Sequence, residues 1–404
     1  MPILIKRLLL TTIAATISIL LSLLVVFSSL EFFPVLLEKL PLDIIPYYAQ
    51  KRKYQPDEEL VFVPRKMHAH VDRCVFKGNL HLKKYRKQAP AIKYVASYGA
   101  NGFRTNSSQA PYEVVLIGDS YLEIGESDDK TLSEQLKALS GFSTYNLGRE
   151  WYGPYQYLKI FRRHAIKQRP RFALFCFFSG NDIRDIQQYE NWLNGGDYYG
   201  FVLSRSFLSR FHVVLAQVAS GLVKTIDLCR GVIKDGVDWH EVIYPDLGFV
   251  KIGNQEVPMR FGYWNPTATA EELLAKHEWT TLRDILFEFK DISYQQKIVP
   301  VVVYIPHKME VYGELITNQS GLEVRNRLTK QLVSMDNSVT AFRRIAAELN
   351  INLIDLTPAF RAVAIKGELI YYPFDTHWNP LGRQIAAQLI TTRLREIEAG
   401  ASDY

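Results

Sequence analysis

The sequence predicts an α/β protein, with a parallel sheet covered by helices on both faces and a membrane-spanning helix ahead of it. Three observations carry this. From Glu113 onward, short apolar runs alternate with stretches of helical period, joined by short links. Residues 171–178, RFALFCFF, are apolar at almost every position, as in a strand buried on both faces. Residues 8–30 form 23 consecutive positions without a charge, more than the about 20 that a span needs. With 404 residues, 48% hydrophobic and 22% charged, the chain has room for one large domain with additions, or for two domains.

The first element is the apolar run LLLTTIAATISILLSLLVVFSSL. A signal peptide has a shorter apolar region, about 7–15 residues, and a small-residue cleavage site. This run is longer and leads into Glu31-Phe32-Phe33, so an uncleaved anchor over residues 1–33 is expected. Lys6 and Arg7 precede it. The positive-inside rule then keeps the N-terminus cytoplasmic and puts the rest of the chain on the extracytoplasmic, periplasmic side. EFFPVLLEKLPLDIIPYY, residues 31–48, reads as an interfacial segment whose prolines stop the helix.

Residues 34–110 read as a basic membrane-proximal segment. Positions 51–110 hold 13 Lys and Arg against four acids, a local net charge of +9 in a chain of +6. Such a patch suits anionic headgroups or an anionic polymer, or is a solvated surface with no partner. No nucleic-acid partner is expected outside the cytoplasm. The three cysteines fit no metal pattern. Cys176 lies within an apolar strand and reads as a core thiol. Cys74 and Cys229 would have an oxidising compartment in which to pair, but no spacing signals it. His68 and His70 lack a third ligand, and neither a metal nor another cofactor is expected.

A catalytic domain is expected over 111–400. Its strands are EVVLIG, FSTYNLG, RFALFCFF, KIVPVVVYI and INLIDL. Its helices are KTLSEQLKAL, YQYLKIFRRHAIKQ (closed by Arg169-Pro170), EWTTLRDILFEFKDI, SVTAFRRIAAEL and PLGRQIAAQLITTRLREI. Residues 184–275 read as an insertion, holding a helix in FLSRFHVVLAQVASGLVKTI and a hairpin around Gly253-Asn254. It is placed to form a lid or substrate wall, or else a packing or dimer surface.

Ligands of open parallel sheets bind outside the C-terminal strand ends. Four polar motifs fall there: Gly118-Asp119-Ser120, Asn146-Leu147-Gly148, Ser179-Gly180-Asn181-Asp182, and the late loop YYPFDTHWNPLG with Asp375 and His377. Each alone is ordinary turn or capping chemistry. Together they supply what acyl transfer needs. Ser120 is a nucleophile once a base takes its proton, His377 is that base, and Asp375 orients the imidazole. The Ser120 N–H, the Gly148 N–H and the Asn181 amide are oxyanion donors, with Gly148 letting the backbone approach closely. Asn379 and Pro380 suit the start of the last helix. Rival motifs fail. Leu122 stands where a G-x-S-x-G elbow needs glycine, and neither His240-Glu241 nor His277-Glu278 completes H-E-x-x-H.

LIGDS, NLG, SGND and DTHWNPLG, in that order, resemble the four blocks of the SGNH, or GDSL-like, hydrolase superfamily over about residues 100–397. The resemblance implies a flavodoxin-like three-layer α/β/α fold. It implies Ser120, His377 and Asp375 as the catalytic set, with Ser120, Gly148 and Asn181 around the oxyanion. Asp375 stands two residues before His377, where the usual spacing is three. That D-x-H-W form, with IPHKMEVYG at 305–313, is similar to the alginate O-acetyltransferase-like branch. The likeness is local, because in that branch the Asp–His block precedes the serine block.

The expected function is that of a membrane-anchored extracytoplasmic serine O-acyltransferase or esterase. Its substrates would be acyl esters, foremost acetyl, of an envelope polysaccharide. The alternatives are a catalytically idle binding or assembly subunit of a polysaccharide system, and a lipid-directed esterase resting on its basic segment.

Overall fold

The structure is a computed structural model, and it describes residues 2–33, 45–65, 70–76, 92–104, 109–200, 206–231, 246–262, 268–317 and 334–401. Contacts divide the chain into two units, Met1–Arg65 with Asp197–Val237, and Lys66–Gly196 with Asp238–Tyr404. This differs from the boundaries drawn from sequence at 33 and 110. It also splits the stretch 184–275. Positions 184–193 are core helix, the middle joins the N-terminal unit, and the hairpin belongs to the larger unit.

The N-terminal unit begins with the helix Pro2–Phe32. Its stretch Leu10–Phe32 is long and apolar enough to cross a membrane, by length and composition, a test that a signal sequence also passes. Strands β1 (Tyr54–Asp57) and β2 (Val61–Pro64) pair antiparallel after the helix Pro46–Lys53. The helix Phe207–Gly231 completes the unit. Phe27 packs on Phe207 and Phe211, with ring centroids 5.0 and 5.2 Å away. At the end of the apolar helix, the buried Glu31 carboxylate accepts from Tyr47 Oη at 2.8 Å and Lys51 Nζ at 2.5 Å, and pairs with Arg210 at 3.2 Å. Buried charge is tolerated only with such pairing.

In the larger unit β3 (His70–Phe76) and β4 (Ile92–Ser97) form an antiparallel pair. The core is a five-stranded parallel sheet of β5 (Val114–Gly118), β6 (Thr144–Gly148), β7 (Phe172–Phe178), β10 (Val299–Ile305) and β11 (Asn352–Asp355), after the hairpin β8 (Leu247–Ile252) and β9 (Gln255–Arg260). Its order is β11-β10-β7-β5-β6, all neighbours parallel. Counting the five from the first, this is 2-1-3-4-5, the flavodoxin-like order, whose switch point lies between its first and third strands. Here those are β5, which leads to Ser120, and β7, which leads to Asn181.

Every residue of β5 and β7 is buried, because side chains alternate between two covered faces. On one face Val114, Leu116, Leu174, Cys176 and Val303 join Leu136, Ile390 and Leu394 in one core cluster. Cys176 is the core thiol expected, and burial pushes its pKa up. On the other face Phe175 meets Tyr157 and Phe289, and Phe177 meets Tyr304 and Phe342. Each such fully buried side chain contributes about 1.5–3 kcal/mol.

Two core helices escaped the sequence reading, Asp182–Leu193 and Thr357–Ile365. The helix expected over 155–168 is regular only over Pro154–Ile160 and closes at Arg169, which turns left-handed (φ 49°) ahead of Pro170. The expected hairpin turn at Gly253-Asn254 is present between β8 and β9.

The basic segment is partly consumed by structure. Arg65 Nε donates to the carbonyls of Lys51 and Tyr54, and Lys51 serves Glu31. The buried Arg104 reaches the carbonyls of Val95, Glu123 and Gly125 and the Asp128 carboxylate. Lys66, Lys77, Lys83, Lys84, Arg86 and Lys87 lie outside the described residues, as do the side chains of Cys74, Cys229, His68 and His70 and most of the expected interfacial segment.

Candidate active site

Ser120 is the first residue of the short helix Ser120–Glu123, which starts directly after β5. Asp119 caps it, accepting from the Tyr121 N–H at 2.9 Å. The uniformly apolar β5 fixes where the chain emerges, and the cap turns it so that the serine hydroxyl meets the loop before the last helix. There His377 Nε2 lies 2.7 Å from Ser120 Oγ, and His377 Nδ1 lies 2.5 Å from Asp375 Oδ1. The same Asp375 oxygen accepts the His377 backbone N–H at 2.9 Å. The two-residue spacing thus permits a doubly held carboxylate. Two stretches distant in sequence thus form one continuous Ser–His–Asp hydrogen-bonded line.

The loop is fixed on every side. Asn379 accepts from the Gly382 N–H at 3.0 Å and caps the final helix ahead of which His377 sits. Tyr121 packs edge-on against Trp378 and at a tilt against His377 and Phe178, with centroids 5.0, 5.1 and 4.2 Å away, and its hydroxyl donates to the Thr376 carbonyl at 2.5 Å. The buried Lys308 ammonium donates to the carbonyls of Tyr372 at 2.6 Å, Arg260 at 3.0 Å and Pro373 at 3.2 Å. It thereby ties the hairpin to the segment leading into Asp375. Burial lowers the Lys308 pKa to about 7, against the pull of Asp375 and Asp246.

Burial is the largest single influence on His377 and disfavours its charged form, but the charge and hydrogen bond of Asp375, together with nearby carboxylates, outweigh it, and the pKa is raised above the ordinary histidine value. Asp119 and Glu150 act in the same direction. Burial pushes Asp119 itself up to about 6.

The oxyanion donors differ from expectation in their resting partners. The Gly148 N–H donates to its own strand's Asn146 Oδ1 at 2.9 Å, and the Asn181 amide donates to Asp185 Oδ2 at 2.6 Å. Buried donors pair with neighbouring acceptors when no oxyanion is present. Gly148 also has a packing reason to lack a side chain, since a Cβ there would stand 2.2 Å from Leu122 Cβ.

Sequence reasoning missed several supporting residues. Lys308 and Glu310 lay in a quoted stretch, but their partners are distant. Glu310, buried and pushed up to about 7, accepts from Tyr304 Oη at 2.6 Å and the His307 N–H at 2.6 Å, and also bonds Ser179. Glu123 accepts from Tyr98 Oη at 2.5 Å, Arg149 at 2.9 Å and the Glu150 N–H at 2.6 Å, joining the first two motif loops. Beside Asn181 opens a cavity of about 640 Å³, walled in part by Gly180, Arg184, Gln187, Lys276, His277 and Trp279. Ser120 and His377 are not among its lining residues.

Residues 276–403 match the family model described as "SGNH hydrolase-like domain, acetyltransferase AlgX". That range holds the histidine and aspartate, and the structure brings Ser120, from outside it, onto the histidine.

The chain carries an SGNH hydrolase-like domain.

No curated protein matches the chain. Among solved structures, the SGNH domain is similar to the acetyl xylan esterase AlAXEase at 10% identity, over 69% of this chain and 98% of that one, TM-score 0.34. A lipase/acylhydrolase from Enterococcus faecalis matches at 12% identity, over 71% and 95%, TM-score 0.33. The psychrotrophic esterase EstA from Pseudoalteromonas sp. matches at 8% identity, over 71% and 98%, TM-score 0.35. The fold assignment rests on strand order and on the sequence of the four motifs rather than on these overlaps. The SGNH domain is an ester-acting hydrolase or acyltransferase, with AlgX-like character in its C-terminal part.

Proposed function

We propose that the chain is a membrane-anchored, extracytoplasmic O-acyltransferase that moves acetyl groups onto an envelope polysaccharide through an acyl-Ser120 intermediate. The observation that carries the chemistry is the unbroken line from Ser120 Oγ through His377 to Asp375. Ser120 Oγ attacks the ester carbon while His377 Nε2 takes its proton. The tetrahedral oxyanion is received by the Ser120 and Gly148 N–H groups and the Asn181 amide, the latter two exchanging their resting acceptors for it. Collapse expels the donor alcohol, which takes the proton back from His377. A second hydroxyl, deprotonated by the same nitrogen, then releases the acyl group. Asp375 stabilises the imidazolium in both halves.

The acceptor distinguishes transfer from hydrolysis. The acetyltransferase description of the matching family model favours a sugar hydroxyl. The apolar N-terminal helix, with Lys6 and Arg7 ahead of it, supports the anchor and its orientation. Simple hydrolysis is the second reading, since both routes share the acyl-enzyme.

The test has two arms. A fluorophosphonate probe should label the wild type and leave Ser120→Ala unlabelled. An acetyl donor supplied with and without oligosaccharides should then yield acetylated sugar by mass spectrometry. Free acetate alone, at a rate indifferent to every sugar offered, would establish the esterase instead.

A further inference from the structure

The helix Phe207–Gly231 has no part in the chemistry above, and its first turns pack on the end of the apolar N-terminal helix. Phe27 meets Phe207 edge-on and Phe211 at a tilt. Phe32 stacks on Phe207, with ring centroids 6.2 Å apart. Arg210 pairs with Glu31 at 3.2 Å, and Gln217 Oε1 accepts the Tyr47 N–H at 3.0 Å. Phe27 is thereby only 2% exposed, whereas residues 10–23 are exposed throughout. Protein covers the end of the apolar helix and leaves its body bare.

These contacts carry a depth with them. The charge-free run covers residues 8–30, and the hydrocarbon core of a bilayer takes about 20 residues of helix. Every window of that length within the run contains Phe27. However the run settles when it spans, Phe27 lies in the apolar layer or at its edge, and so do the rings of Phe207 and Phe211 that cover it. Glu31, held by Tyr47, Lys51 and Arg210, marks the polar level just beyond.

The Phe207 helix is built for that level. It is not a second span, because its longest stretch without Lys, Arg, Asp or Glu is residues 211–223, too short to cross. Nor is it a buried core helix. Leu208 is 73% exposed, and His212, Ala216 and Ala219 are exposed as well. Spaced three or four apart, they share one outward face. A helix face turned to water ordinarily carries charge. This one has no acid, lysine or arginine among the described residues.

We propose that the helix Phe207–Gly231 enters the bilayer surface with its first two turns and presents Leu208 to the acyl chains of the phospholipid. This rests on the membrane-anchored reading above and adds a second point of contact to it. Attachment remains the work of the span, since so short an apolar face adds little affinity of its own. The gain is orientation. A lone helix is free to tilt and to turn about its axis, and a second element packed on its end at the same depth fixes both.

The test uses the full-length chain in phosphatidylcholine vesicles, with Cys74→Ser and Cys229→Ser so that the buried Cys176 is the one native thiol left. Leu208→Cys, Val25→Cys and Glu58→Cys, all at exposed positions, carry an NBD fluorophore in turn. Emission is compared between ordinary lipid and lipid brominated along its acyl chains, which quenches on contact. The label at position 208 should lose most of its emission, as should the label at 25, and the label at 58 should keep its own. Quenching at 25 without quenching at 208 overturns the proposal and leaves the anchor standing. No quenching at 25 overturns the anchor, and the proposal with it. Equal quenching at 58 also overturns the proposal, because the helix face would then be no closer to lipid than the turn between β1 and β2.

Discussion

At His377 two effects of opposite sign act on one imidazole. Burial is the largest single influence and lowers its pKa, while the Asp375 charge and hydrogen bond, helped by Asp119 and Glu150, together raise it further than burial lowers it. The base works only when neutral, so activity should rise with pH through a midpoint above about 6.5, the ordinary value. Asp375→Asn removes the charge and leaves the burial. Its acid limb should move below that of the wild type while kcat falls, though less than in Ser120→Ala, where turnover should drop by several orders of magnitude. A pH profile of p-nitrophenyl acetate hydrolysis checks the sign, and an unmoved limb would mean that Asp375 does not set the base. A raised folded-state pKa also contributes stability, fully present below the unfolded value and lost as pH rises through the folded one. Lys308 is the second residue-scale case. Lys308→Met removes a donor shared by the carbonyls of Arg260, Tyr372 and Pro373, of which Pro373 keeps the Arg260 N–H and Tyr372 the Asp375 N–H, so the loss should be about 1–3 kcal/mol in all. The variant should melt lower, and its fluorophosphonate labelling should slow because the Asp375 segment loses its tie. Unchanged labelling at an unchanged melting temperature would refute the role.

Between elements, the end of β6 and the Ser120 helix approach until no side chain fits between them. Gly148→Ala would drive a methyl group into Leu122 and should destabilise the domain by about 1–3 kcal/mol. Adding Leu122→Gly removes the Cβ that the new methyl group would meet, so the double variant should lose less than the sum of the two single losses, and a double-mutant cycle by denaturant unfolding measures the coupling. Strictly additive losses would show that the clash lies elsewhere. This scale also shows what was legible in the sequence. The five core strands could be read because each is an apolar run, three of them closed by a polar motif, and the triad because Ser120 ends such a run while Asp375 and His377 share one motif ahead of the last helix. The helix Thr357–Ile365 was too short for its period to register. Most of Asp182–Leu193 falls within the stretch 184–275, and sequence adjacency does not say with which unit a stretch folds. The Lys308, Glu310 and Glu123 networks, and the Asn146 bond that occupies Gly148, depend on pairings between distant residues that no local pattern encodes.

Over the whole molecule, composition gives a topology. The charge-free run behind Lys6-Arg7 should keep the N-terminus cytoplasmic. Alkaline phosphatase fused after residue 110 should be active and β-galactosidase fused there should not, and the reverse would place the SGNH domain in the cytoplasm and remove the envelope substrate with it. Deleting residues 1–33 should release the protein from the membrane fraction, and persistence there would identify another attachment, with the basic segment the first to examine.

The nucleophile and its base are 257 residues apart along the chain. The ribosome adds roughly 5–20 residues per second, so Ser120 leaves the tunnel on the order of 10–50 s ahead of His377. For that interval the nascent polypeptide carries a serine without a proton acceptor, and any product of premature termination is chemically inert toward esters. Reactivity is conferred only once the stretch around His377 has been synthesised, so a polypeptide that stops short of it cannot acylate itself.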